Sequence, residues 1–123
     1  MVSAYDELPR TPANFVALSP LRYLERAAYI YPHQDAIIHG HRHISWRETY
    51  QRCRQFASQL QKLGITKNDT VSVLLPNIPA MIEAHFAVPM TGAVLNTLNT
   101  RLDAKTIAFM LEHAETKVLL VDP

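Results

Sequence analysis

An α/β fold built around a parallel sheet is what this sequence predicts, and three observations carry the prediction. Three short β-rich runs, Val71-Ser72-Val73-Leu74-Leu75, Ala93-Val94-Leu95-Asn96-Thr97-Leu98 and Lys117-Val118-Leu119-Leu120-Val121, are separated by stretches of helical character. The joints between them are only a few residues long, which is the pattern of βαβ units. The composition, 48% hydrophobic and 19% charged with a net charge of +1, is that of a globular chain. It is not that of a disordered segment or a basic nucleic-acid binder. The expected architecture is a βαβαβ unit preceded by a helix, a short hairpin and a capped helix. At 123 residues there is room for one domain with a sizeable core.

Residues 1–18 contain Pro9 and Pro12 without periodicity and read as an extended arm, and residues 19–123 read as the domain. Ser19 is placed to cap a first helix with Pro20 at its first position, and Leu21, Leu24, Ala28 and Tyr31 follow at helical spacing until Pro32. Ala36-Ile37-Ile38 and His43-Ile44-Ser45 flank Gly40 as a hairpin. Ser45-Trp46-Arg47-Glu48 is a capping box that opens the second helix. There Trp46, Tyr50, Cys53, Ala57, Leu60 and Leu63 make the inward stripe, with Gly64 as the left-handed stop and Ile65 packing back. After the first strand of the parallel set, Asn77 is expected to cap a third helix over about 78–91, bent near its end by Pro89. Asp103 caps the fourth, where Leu102 and Ile107 suit a hydrophobic staple and Ile107, Met110, Leu111 and Ala114 form the stripe expected to be buried.

Several chemistries are excluded or disfavoured. Gly40, Gly64 and Gly92 stand far apart, so the chain holds no glycine-rich phosphate loop. Cys53 is the sole cysteine, which rules out an internal disulfide or a C-x-x-C motif and points to a reducing compartment, read here as the cytoplasm. No stretch is apolar and long enough to span a membrane, and no export signal is seen. His39, His41 and His43 alternate, but Gly40 puts a turn inside the triplet, so no metal site is expected. Cys53 and Ser72 read as core, and His85 as an imidazole with no acid to orient it. Arg47, Arg52, Arg54 and Lys62 read as a solvated basic face. Ligands of open parallel sheets sit beyond the carboxyl ends of the strands, which here are Pro76-Asn77, Asn99-Thr100-Arg101 and Asp122-Pro123.

The runs Ile44–Tyr50 (ISWRETY), Gly64–Asp69 (GITKND), Leu75–Met81 (LPNIPAM) and His85–Leu102 (HFAVPMTGAVLNTLNTRL) resemble the AMP-binding acyl-CoA synthetases. These belong to the adenylate-forming superfamily shared with luciferases and peptide-synthetase adenylation domains. The wording of Ala87–Val94 is most similar to the fatty-acid and short- or medium-chain acyl-CoA ligases. The resemblance implies the first part of the large N-terminal domain of such an enzyme. It implies a carboxylic acid, ATP, Mg²⁺ and CoA as substrates and cofactors of the parent, and formation of an acyl adenylate followed by thioester formation. It also implies that the family's phosphate loop, adenine and ribose contacts and catalytic lysine fall later in the order than residue 123. No catalytic, cofactor or metal residue is therefore expected here, and the segment alone is expected to be inactive. Asn77, Asn99 and Arg101 match family motifs as pocket-flanking or structural positions. Transfer of the acyl group to a carrier protein, a stand-alone binding module and self-association into an oligomer all stay open.

Overall fold

The computed structural model describes residue 7 and residues 9–122, so the expectations for residues 1–6, Leu8 and Pro123 lie outside the described residues. The order is α1 (Pro20–Ile30), β1 (Asp35–His39), β2 (Arg42–Ser45), α2 (Trp46–Lys62), β3 (Thr70–Leu74), α3 (Pro79–Met90), β4 (Val94–Thr97), α4 (Ala104–His113) and β5 (Thr116–Val121). β1 and β2 form an antiparallel hairpin. β3 pairs in parallel with β4 on one side and β5 on the other, giving the order β4-β3-β5. The α/β class and the parallel βαβαβ unit are as the sequence predicts.

Local chemistry sets most boundaries. The Ser19 hydroxyl accepts from Leu21 N–H, and Pro20 opens α1. The Ser45 hydroxyl accepts from Glu48 N–H at 3.2 Å, one half of the capping box; among the described residues no bond returns from the Glu48 carboxylate. At the other end of α2, Ile65 N–H donates to Leu60 C=O and Gly64 N–H to Gln61 C=O, both at 3.0 Å, with Gly64 at φ +87°. That is the paired bonding of a Schellman motif, and Ile65 and Leu60 then share a core cluster.

Three further helix-end details differ from the sequence expectation. Leu63 is exposed, because the helix has ended there and Ile65 takes its place in the core. Tyr31 caps α1 with non-helical backbone and is exposed as well. α3 begins at Pro79 with Ile78 as its N-cap, and Asn77 caps nothing. A residue before proline is pushed out of the helical region, and Ile78 accordingly lies at φ −117°, ψ 167° while Pro79 takes the first helical position.

The core lies between the sheet and the α2–α3 layer. Leu60, Ile65, Val71, Val88 and Ala93 form one cluster, and Val73, Leu75 and Ala84 another. Leu24 of α1 joins Cys53, Ala57 and Ala87 in a third. Phe56 of α2 is packed against all three clusters. No residue of α4 belongs to any of them, and α4 packs on β5 without a fully buried side chain, so the expected stripe is only half-buried.

Candidate functional site

In a parallel sheet all carboxyl ends fall along one edge, so topology brings Asn77, Asn99 and Arg101 to that edge together. β3 enters it through Leu75, which is buried, and Pro76. Ile78 N–H then donates to Pro76 C=O at 2.8 Å, turning the chain into α3. β4 continues its pairing one step beyond its last residue, Leu98 N–H donating to Val73 C=O at 2.9 Å. The Asn99 side chain then accepts from Arg101 N–H at 3.0 Å and closes a turn ahead of α4. Asn77, Asn99 and Arg101 are all exposed, and no hydrogen bond joins their side chains among the described residues. Asp103, the next residue with an obvious polar role, caps α4. Its carboxylate accepts from Lys105 and Thr106 N–H and from the Thr106 hydroxyl, and these bonds, the hydroxyl's foremost, hold it below the ordinary aspartate range.

The other candidates sit elsewhere. His43 Nδ1 lies 2.6 Å from Asp35 across the hairpin, while His39 and His41 are exposed; no group of three or more His, Cys, Asp or Glu able to hold a metal is gathered among the described residues. His85 is exposed and bonds only back to Met81 C=O along its own helix. Ser72 is fully buried in β3 and lies 2.7 Å from Thr116 Oγ1 while accepting from Asn96, a polar row crossing all three strands. Cys53 is fully buried, and desolvation first, with the Glu83 charge second, pushes its thiol up to about 12; such a thiol is no nucleophile at neutral pH.

Arg52 departs from the expected basic face. Arg47, Arg54 and Lys62 are exposed, but Arg52 turns to Glu83 of α3, with Nε 2.5 Å and Nη2 3.1 Å from its two carboxylate oxygens. Glu83 is buried, and Cys53 Sγ lies 3.7 Å from its backbone oxygen. The partners stand 31 residues apart, beyond any local pattern. The one sequence signal is that Glu83 is the lone carboxylate in an apolar helix.

A Cβ added at Gly40 or Gly64 would meet nothing within 4 Å, and at Gly92 only Lys67, so what these positions require of glycine is their positive φ rather than a close approach. An apolar hollow of ≈ 570 Å³ lies between residues 16–19 and α1, lined by Val16, Leu18, Tyr23, Arg26 and Tyr29 and by none of Asn77, Asn99 and Arg101. No described helix is long and apolar enough to cross a membrane.

Comparison with known proteins supplies what the geometry lacks. Residues 24–123 match the family described as AMP-binding enzyme. The chain is 53% identical over 117 residues to a peroxisomal acetate/butyrate–CoA ligase of Arabidopsis thaliana, covering 95% of this chain and 21% of that protein. It is 56% identical over 117 residues to a peroxisomal trans-cinnamate:CoA ligase of Petunia hybrida, covering 95% and 20%. Among solved structures, unliganded O-succinylbenzoate coenzyme A synthetase of Bacillus subtilis superposes with a TM-score of 0.77 at 29% identity, over 81% of this chain and 22% of that one. The chain thus spans about a fifth of the length of the curated relatives it matches. The cytoplasmic setting read from the sequence is overturned, since both relatives are named peroxisomal. A lone buried cysteine reports redox conditions rather than an organelle, and peroxisomal delivery relies on a short receptor-read address that leaves no mark on composition.

Proposed function

This chain belongs to the AMP-binding enzyme family, and we propose that it forms the opening portion of an ATP-dependent, AMP-forming acyl-CoA ligase. The full-length protein converts a carboxylic acid, ATP and CoA into acyl-CoA, AMP and pyrophosphate, with Mg²⁺ accompanying the nucleotide. The observation that carries the reading is identity above half, over nearly the whole chain, to ligases whose names join a small or aromatic acid to CoA. Those names make short-chain and aromatic monocarboxylic acids the first substrates to try, and the peroxisome the first compartment to examine.

No chemical step is assigned to the described residues. Their part is to hold β3, β4 and β5 in register and present Asn77, Asn99 and Arg101 along the carboxyl edge as flanks of a pocket completed elsewhere in the protein. The test is to incubate the full-length protein with ATP, Mg²⁺, CoA and acetate, butyrate or cinnamate, and follow acyl-CoA by mass spectrometry. Acid-dependent thioester is the expected product; AMP or thioester formation that ignores the acid contradicts the proposal.

A further inference from the structure

Helix α3 poses a packing problem that the Arg52–Glu83 pair solves. Apolar residues run all round this helix instead of along one stripe, and its inward side holds Glu83 with the small residues Ala84, Ala87 and Val88. Ile82, larger and apolar, is left 42% exposed beside them. On hydrophobic grounds alone, a rotation that buried Ile82 in place of Glu83 would gain apolar contact. α1 and α2 face no such ambiguity, since each carries a single apolar stripe. Something directional must choose the rotation of α3, and a two-pronged guanidinium–carboxylate contact has the required geometry.

We propose that the Arg52–Glu83 pair is a positioning device that fixes the rotation of α3 against α2, and through the first turn of α3 sets the Pro76–Ile78 turn that carries Asn77 at the carboxyl edge. Glu83 is buried and Arg52 half-buried, and the value of the pair is specificity of packing more than net stability, a use attested for buried polar groups. Glu83 lies one turn inside the start of α3, and Leu75 and Pro79, on either side of the turn, are buried, so a rotated helix drags the turn with it. The link to Asn77 rests on the ligase reading above.

The test uses the full-length protein with three forms of the pair: the native one, Arg52→Lys, which keeps the charge and loses the fork, and Arg52→Met with Glu83→Leu, which keeps the volume and loses the charges. Ile82→Cys and Ala84→Cys are introduced separately into each, and labelling is read at residue 82 or 84 itself by peptide mass spectrometry. With the native pair, the thiol at 82 reacts with a maleimide much faster than the thiol at 84. In the Met/Leu form the two rates are expected to converge while the melting temperature is kept. kcat/KM for the acid is expected to fall by up to about a hundredfold, the effect a ~1 Å misplacement can have, with an intermediate fall for Arg52→Lys. An unchanged labelling contrast in the Met/Leu form overturns the proposal, and converged labelling with unchanged kcat/KM overturns the link to Asn77. If the native protein makes no acyl-CoA, the ligase reading fails by itself, and the labelling contrast still decides whether the pair sets the rotation.

Discussion

The two faces of the β4-β3-β5 sheet are finished to different degrees. On one, Val71, Val73, Leu95, Val118 and Leu120 meet α2 and α3 in continuous clusters whose central residues are sealed from solvent. On the other, Ser72 is buried in its polar row, but Val94, Leu119 and Val121 are 51%, 40% and 55% exposed, and Phe109 of α4 is 64% exposed. Alternation along a strand explains how one sequence makes both, since Leu120 and Leu119 point to opposite sides. Stability in this segment resides on the α2–α3 side. The bare side has the apolar surface of a packing face.

That contrast can be broken by matched substitutions. The largest effect is expected from Leu60→Ala, which removes a fully buried side chain between α2 and β3 and should cost about 2–5 kcal/mol. Urea unfolding followed by the fluorescence of Trp46 would read it. Next comes Gly64→Ala: no atom blocks the new Cβ, so the loss of about 1–2 kcal/mol comes from φ +87° alone. Equal stability of the native protein and this variant would show that the Schellman turn is dispensable. Asp103 should stabilise at neutral pH and cease to do so in acid. Its folded pKa lies below the ordinary value of 3.8, so its contribution is complete above that value and is lost as pH falls through the folded pKa. Asp103→Asn should remove this acid-side loss, which a stability-versus-pH series with and without the substitution would show. The smallest effect is expected for Leu119→Ser on the bare face, within about 0.5 kcal/mol in the 123-residue chain. A loss as large as that of Leu60→Ala would mean the two faces are equally built.

The elements were legible wherever their ends are written in adjacent residues. Ser19-Pro20, Ser45, Gly64 and Asp103 each act within one helical turn, and each does in the structure what its chemistry implies, although the Glu48 half of the capping box does not form. The start of α3 was legible too, but in Pro79 rather than Asn77, because the proline's constraint on Ile78 outweighs a capping preference. The Arg52–Glu83 pair and the bareness of Leu119 and Val121 were not legible. Both depend on what lies across space, and helical spacing says which side of a residue is shared without saying with what. The carboxyl edge followed from topology, whereas its chemistry entered through resemblance, because exposed asparagines and an arginine at strand ends serve turns as readily as ligands.

The proposal is that this segment is scaffold for an acid-activating ligase whose reacting groups lie in the rest of the protein. Acid-dependent exchange of labelled pyrophosphate into ATP tests it most directly, measured side by side on the 123-residue chain and on the full-length protein. Exchange by the full-length protein with butyrate or cinnamate, and none by the 123-residue chain, is the predicted result. Exchange by the short chain alone, or none by the full-length protein with any carboxylic acid, would contradict the account.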